Sequence, residues 1–229
     1  APTLTVSAPD NSNDSTPTLT GSSDQIGGTV TLTVTDANGA TQNLSATVQT
    51  DGSWSVAVST PLAEGSYSVV AQVSDAAGNT AQATDNGSID LTAPAAGISL
   101  NPIAGDDLLN AAEAAGSVTL SGTVSGDVKA GDSVTVTVGG SSYTTTVNAD
   151  GSTWSVGVPG SVLAANGQVE ASVTTLDDAG NPNTASTDRA YSVDTTLPAA
   201  GISLNPIAGD DVLNAAEAAG SVTLSGTVS

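Results

Sequence analysis

Residues Ala104 to Ala115 read AGDDLLNAAEAA, and Ala208 to Ala219 read AGDDVLNAAEAA. Each copy sets two adjacent aspartates, an asparagine and a glutamate into a chain built otherwise from Val, Thr, Ser and Gly. Side-chain oxygens at this density are hard donors, the type that Ca2+ takes. For the first copy two readings stand. Asp106, Asp107, Asn110 and Glu113 are metal ligands, or Asp106 or Asp107 caps a short helix, LLNAAEAA, with Glu113 exposed on it. Neither GDDLLN at Gly105 nor DNSND at Asp10 follows the EF-hand spacing, and there are no GGxGxD nonapeptides.

The charge balance narrows the partners. Lys129 and Arg189 stand against 23 acidic residues, a net charge of −21 that repels nucleic acid and anionic membrane surfaces. Of those acids 19 are Asp and 4 are Glu, and Asp is the shorter, turn-seeking one that presents ligands from loops. Without cysteine there is no disulfide framework or thiolate metal site, and no run of 18 apolar residues marks a membrane span. The chain starts at Ala1 with no Met or signal-like segment, as a piece of something longer would.

Repeats supply the frame that must position these acids. Ala95 to Ser125 and Ala199 to Ser229 match at every position except Leu108, which becomes Val212. The offset of 104 residues is one whole domain rather than a solenoid turn. The first part of the chain follows the same plan more distantly. TLTG at Thr18 answers TLSG at Thr119, DGSWSVAV at Asp51 answers DGSTWSVGV at Asp150, and DAAGN at Asp75 answers DDAGN at Asp177. The expected units are therefore 1–92, 93–196 and an incomplete 197–229, joined by short linkers that each end in proline, at Pro94 and Pro198.

Within a unit, apolar residues alternate with period two, as at Val118, Leu120, Gly122, Val124 and again at Val134, Val136, Val138. Asn-Gly, Asp-Gly and Gly-Gly pairs punctuate the runs. The pattern predicts an all-β chain of tandem antiparallel immunoglobulin-like sandwiches, about seven strands each, with a short helical insert between the first two strands of the second unit. Trp54 and Trp154 read as core filling, and Tyr67, Tyr143 and Tyr191 as strand residues. Residues 197–229 offer two strands, too few to bury a sandwich core. They are expected either to fray or to compete for the place of 95–125, in this chain or a neighbouring one.

Tracing the second unit as a sandwich sends Asp106, Asp107, Asn110, Glu113 and Asp194 to the pole beside the next linker. It sends Asp127, Asp132, Asp177 and Asp178 to the pole facing the preceding unit. The first unit places Asp24 and Asp75 at its near pole, and Asp10, Asn11, Asn13, Asp14 and Asp90 at its far pole. Two acidic poles then meet at each linker, where close carboxylates repel by about 1 kcal/mol or more per pair. A divalent cation reverses that sign, and an oxygen-only donor set without His or Cys selects Ca2+. The insert's second copy adds Asp210, Asp211 and Glu217 as candidates. For Asp75 and Asp177 a turn-forming role stands equally, because Asp-x-x-Gly-Asn is also a good turn.

The segments NPIAGDDLLNAAEAAGSVTLSGTVSG, AGDSVTVTVGGSSYTTTVNADGSTWSV, DDAGN and YSVDTTLP resemble the bacterial immunoglobulin-like repeats of giant Gram-negative surface adhesins, the biofilm-associated and RTX-adhesin type. The likeness covers the whole chain and is looser in the first unit, which replaces the insert by DNSNDSTP. It implies a secreted extender at the bacterial cell surface, exported by type I secretion and associated with the outer membrane. In such a rod tandem copies hold a distal adhesive domain away from the cell, and Ca2+ rigidifies the linkers. By that resemblance Asp90 and Asp194 are linker ligands, and Asp106, Asp107 and Glu113 are insert ligands. The partners are neighbouring repeats of the same chain, the protein is a monomer, and strand swapping by 197–229 stays open.

An enzyme is not expected. There is no His, Lys129 and Arg189 fall in separate loops, and no Ser or Thr has a neighbouring base. The rival reading is a calcium-dependent module that binds carbohydrate or a host receptor, against which stands an aromatic content of 2%.

Overall fold

A computed structural model describes residues 1–229. The chain runs through β1 (Thr18–Ser22), β2 (Thr29–Thr35), β3 (Thr41–Thr47), β4 (Ser53–Ala57), β5 (Gly65–Ser74) and β6 (Thr80–Ile89). There follow β7 (Ala96–Ile98), β8 (Leu108–Asn110), α1 (Ala111–Ala114), β9 (Ser117–Gly126), β10 (Ser133–Val138), β11 (Ser141–Thr146) and β12 (Thr153–Pro159). After α2 (Gly160–Ala164) come β13 (Gln168–Leu176), β14 (Pro182–Ala190), β15 (Ser192–Asp194), β16 (Ile202–Leu204), α3 (Ala215–Ala218) and β17 (Gly226–Val228).

Strand β2 shows why these residues make sheet. Its TVTLTVT turns Val30, Leu32 and Val34 inward and Thr29, Thr31 and Thr33 to solvent. Branched side chains fit that half-buried pleat. The first sandwich opposes a four-stranded sheet, β3-β2-β5-β6, to the pair β1-β4. Bridges from Leu4 to Ser23 and from Ser7 to Thr20 extend that pair. The second sandwich repeats the arrangement with β11-β10-β13-β14 over β12-β9-β7. All these pairings are antiparallel. Each sandwich closes on its own cluster of buried side chains, Ala8 to Ile89 in one and Leu100 to Tyr191 in the other.

Each core centres on a tryptophan. Trp54 and Trp154 are both buried and sit directly across from Gly21 and Gly122 in the strand ladder. A Cβ on either glycine would meet the indole and the backbone carbonyl of Thr5 or Ser99. The small residue is what lets the ring lie over the neighbouring strand. Trp154 Nε1 donates to Ser99 O at 3.3 Å, whereas Trp54 Nε1 has no partner. Tyr67 seals the first core, with its hydroxyl donating to Pro9 O at 3.0 Å. Burial, reinforced by Asp10 and Asp85, pushes its pKa up to about 12.

The insert departs from the expected helix. Only Ala111–Ala114 is helical, and the N-cap is Asn110 rather than Asp106 or Asp107. Its side chain accepts from the backbone N–H groups of Ala112 and Glu113, while Glu113 accepts from Asn110 N–H, closing a capping box. The preceding LLN is strand, because β8 pairs in parallel with β15 and buries Leu109. Arg189 also corrects the sequence reading: it lies in β14, not in a loop.

Residues 95–125 hold their place in the second sandwich, and residues 197–229 lie outside it. They keep their own turn, α3 and the β16-β17 pair, with Ile202, Leu204, Leu213, Leu224 and Val228 exposed. No helix is long and apolar enough to cross a membrane.

Candidate functional site

The Asp90-Leu91-Thr92-Ala93-Pro94 linker is held from both sides. On the first sandwich, Asp90 N donates to Ser12 O at 3.0 Å and Thr92 Oγ1 donates to Glu64 Oε1 at 2.5 Å. On the second, Asn181 Nδ2 donates to Asp90 O at 2.9 Å and Asn183 Nδ2 to Pro94 O at 2.6 Å. Ala95 N donates to Asp127 Oδ2 at 2.7 Å. Two amide side chains, Asn181 of the β13-β14 turn and Asn183 near the start of β14, therefore grip the linker's carbonyls.

Around that linker lies a groove of about 410 Å3 lined by Asn11, Asp90, Thr92, Pro94, Asp127, Lys129, Asp177 and Asp178, with Ala93. It gathers four of the candidate carboxylates, one from the end of the first sandwich and three from the near pole of the second. Asp10, Asp14 and Asp132 lie outside it. Lys129 reaches Asp178 Oδ1 at 3.2 Å across the exposed rim and offsets part of the charge.

Most of these acids already have local partners. Asp90 Oδ1 accepts from Thr92 N, Asp14 Oδ1 from Thr16 N and Oγ1, and Asp132 Oδ2 from Lys129 N. Asp177 closes its turn by accepting from Asn181 N at 2.8 Å and Asn181 Nδ2 at 2.8 Å. Partial burial raises its pKa, yet the Asn181 bonds outweigh that and leave it below the ordinary carboxylate value. Asp75 does the same work in the first sandwich with Asn79, whose side-chain and backbone bonds lower its pKa. Asp24, at the opposite end of the first sandwich, accepts from Gln25 Nε2 and Thr3 N, which lower its pKa.

The far pole brings Asp194 beside Asn110, its direct neighbour in the parallel ladder. Asp106 Oδ1 accepts from Leu108 N, and Glu113 is closed into the capping box. Asp107 is drawn away from that group. Its carboxylate takes both arms of Arg189, with Nε to Oδ1 at 2.7 Å and Nη2 to Oδ2 at 2.5 Å. The Arg189 hydrogen bonds hold the Asp107 carboxyl below its ordinary value. Asp211 repeats the bond to the turn, accepting from Ile207 N at 2.9 Å, and Asp210 accepts from Val212 N. Glu217 repeats the capping box with Asn214.

As a donor set, the junction groove is carboxylate, amide and hydroxyl oxygen, which fits a hard cation such as Ca2+ and no thiolate or imidazole metal. No three acidic side chains stand together as a ready cage in this arrangement. Coordination would draw on carboxylate oxygens that now face solvent or close turns.

The bacterial Ig-like domain family matches residues 5–91. A Ca2+-stabilized adhesin that helps an Antarctic bacterium reach out and bind ice is 38% identical, with a TM-score of 0.72 over 99% of this chain and 57% of its own. A 1.5-MDa bacterial ice-binding adhesin is 36% identical, with a TM-score of 0.63 over 100% of this chain and 76% of its own. The chain belongs to the bacterial Ig-like domains of large adhesins. These repeats are structural modules, not enzymes, and the two sandwiches described above are two of them. The chain spans 57% of the length of the first of these relatives. No curated protein matches it.

Sequence reasoning placed Asp10, Asn11, Asn13, Asp14 and Asp90 opposite Asp127, Asp132, Asp177 and Asp178 at one junction, and of these Asn11, Asp90, Asp127, Asp177 and Asp178 line the groove. It missed Asn181, Asn183 and the Arg189–Asp107 pair. The Asn of DDAGN was the available signal for the first. For Arg189 the signal was a lone guanidinium at an inward position of an edge strand.

Proposed function

We propose that this chain is an extender module of a secreted bacterial surface adhesin, in which Ca2+ at the junctions stiffens a rod that projects a distal adhesive domain in cell adhesion and biofilm formation. In this reading the units are 1–92, 93–196 and the opening of a third at 197–229. Export follows a type I route, and retention is at the outer membrane.

The observation that carries the reading is the convergence of Asp90 with Asp127, Asp177 and Asp178 around one linker. Four carboxylates and one lysine leave the groove negative, and close like charges near a surface repel by roughly 1 to 4 kcal/mol per pair. A divalent cation would turn that repulsion into attraction between the two sandwiches. Asp90, Asp127, Asp177 and Asp178, with Asn11, are the residues that would hold it. At the next junction Asp194, Asp106, Asn110 and Glu113 would supply the same donor type. The Ca2+-stabilized relative supports the choice of ion.

Small-angle scattering and thermal unfolding, with Ca2+ and with chelator, test this. Chelation is expected to shorten the mean maximum dimension and lower the melting temperature, since an ion bound only by the folded form stabilises it. If both stay unchanged, the calcium rod is wrong.

A second reading has its own place on the molecule. A polar groove of about 510 Å3 on the outer face of β13 and β14 is lined by Gln168, Glu170, Ser186, Thr187 and Asp188, among others, and carries no hydrophobic side chain. Hydroxyl, amide and carboxylate groups suit a sugar, while the lack of an aromatic platform counts against one. Specific signals on a glycan array in Ca2+ would favour this reading over a pure extender.

A further inference from the structure

Strand contacts in this chain run antiparallel with two exceptions, and both exceptions join the same two places. In the second sandwich β8 runs parallel to β15, with Leu108, Leu109 and Asn110 beside Ser192, Val193 and Asp194. In the first, Ser12 makes a parallel bridge to Ile89, where Ser12 N donates to Ser88 O at 3.0 Å and Asp90 N to Ser12 O at 3.0 Å. Each time the segment after the opening strand meets the end of the closing strand.

That placement decides how a pull is carried. The chain enters the second sandwich beside Asp127 and leaves it past Asp194. β14 starts at the entry end, where Asn183 holds Pro94 O, and β15 continues it to the exit. β8, being parallel to β15, runs the same way. Tension on the two linkers therefore drags β8 backward and β15 forward, each along its own length. The ladder bonds lie across that pull, so they share the load and must fail together. An antiparallel pair at this place would open from one end, bond by bond.

Arg189 tightens the same point. It stands on the strand that runs into β15, and it holds Asp107, the residue before β8, by two bonds and Leu100 O by a third. Ile103 N also donates to Asp107 Oδ1 at 2.9 Å, which draws the turn into the same knot. Leu109, fully buried, anchors β8 in the core. The first sandwich has a smaller version, in which Asp85 Oδ2 accepts from Ala8 N at 2.9 Å and Asn11 N donates to Ser88 Oγ at 2.7 Å.

We propose that the β8-β15 pair, locked by Arg189 on Asp107, is a shear clamp that lets the second sandwich bear tension along the chain without unfolding. It rests on the extender reading only for the source of the tension, since a rod that holds an adhesive domain is pulled along its axis. The clamp itself belongs to this fold and needs no ion.

The chain has no cysteine, so introduced pairs fix where it is pulled. Ala93→Cys with Thr196→Cys loads the clamp in shear. Ala115→Cys with Thr196→Cys pulls β8 and β15 from the same end and peels them apart, and all three positions are exposed. In single-molecule pulling of the full chain in chelator, the shear pair is expected to need the higher force. Arg189→Met in the shear pair is expected to unfold roughly fivefold faster at a given force, the equivalent of one hydrogen bond. Val136→Ala opens a cavity in β10, away from the clamp. It is expected to lower the melting temperature of the same sandwich while leaving its shear force near that of the intact chain. The proposal is overturned if shear and peel need equal force, or if Val136→Ala weakens the shear pair as much as Arg189→Met does. Chelator keeps Ca2+ out of every arm, so a failed clamp leaves the calcium reading untouched, and a failed calcium reading leaves this result standing.

Discussion

Arg189 of β14 grips Asp107 of the insert with two parallel bonds, and its third nitrogen, Nη1, donates to Leu100 O at 3.2 Å. One side chain on the last long strand thereby ties down both the opening strand and the turn that follows it. The first sandwich solves the same problem differently, with Tyr67 over Gly87 and its hydroxyl on Pro9 O. Arg189→Met should keep the packing of the stem but free the insert. Calorimetry is expected to show the second sandwich melting lower and the first unchanged, with the difference narrowing in high salt because the pair is partly exposed. Asp211→Asn should be silent, since that carboxylate meets Ile207 N and no arginine.

Acid should expose the anchoring carboxylates. Asp150 is held at about 2 by the Thr153 hydroxyl, with the backbone N–H groups of Ser152 and Thr153 adding to it. A carboxylate whose pKa is depressed on folding stabilises the fold at pH above its unfolded value, and that stabilisation is lost as pH falls through the folded value. For Asp150 the window runs from roughly 4 down to about 2. Urea midpoints for the intact chain and Asp150→Asn are therefore expected to differ at pH 5 and to converge by about pH 2. A difference that persisted unchanged at pH 2 would place the effect in packing, not charge.

The strands were legible because Val and Thr alternate with little noise, and the poles followed from connectivity. The insert was misread for a physical reason. LLNAAEAA has good helix formers throughout, but Leu109 is buried in a two-stranded parallel pair with Val193, a contact 84 residues away that no local propensity records. The cap moved to Asn110 accordingly. At the junction, repeat logic named Asp90, Asp127, Asp177 and Asp178 together with Asp10, Asp14 and Asp132, which lie outside the groove, whereas the grip of Asn181 and Asn183 on the linker carbonyls required knowing how the β13-β14 turn and the start of β14 face their neighbour.

That grip can be separated from any ion. Asn181→Ala removes a bond to its own turn at Asp177 and a bond across the junction to Asp90 O. Asn79→Ala removes the matching turn bond to Asp75 and lies at the other end of the first sandwich. The two variants should lose similar turn stability, about 1 kcal/mol for each hydrogen bond. Only Asn181→Ala is expected to broaden the distance distribution from small-angle scattering in chelator. Equal scattering from both variants would show that the junction does not depend on Asn181.

The paired glycines give the sharpest stability test. Gly122 lies opposite Trp154, and a Cβ there would overlap Ser99 O and crowd the indole Nε1 that bonds it. Gly21 faces Trp54 in the same way, but that Nε1 has no partner to lose. Both glycine-to-alanine changes should overpack their cores, costing about 1 to 3 kcal/mol. Gly122→Ala should cost about 1 kcal/mol more through the broken indole bond. For domains of this size that extra loss is a further fall of roughly 4 to 8 °C in the second transition relative to the Gly21→Ala fall in the first. Equal falls would mean that the Trp154 hydrogen bond contributes nothing beyond packing.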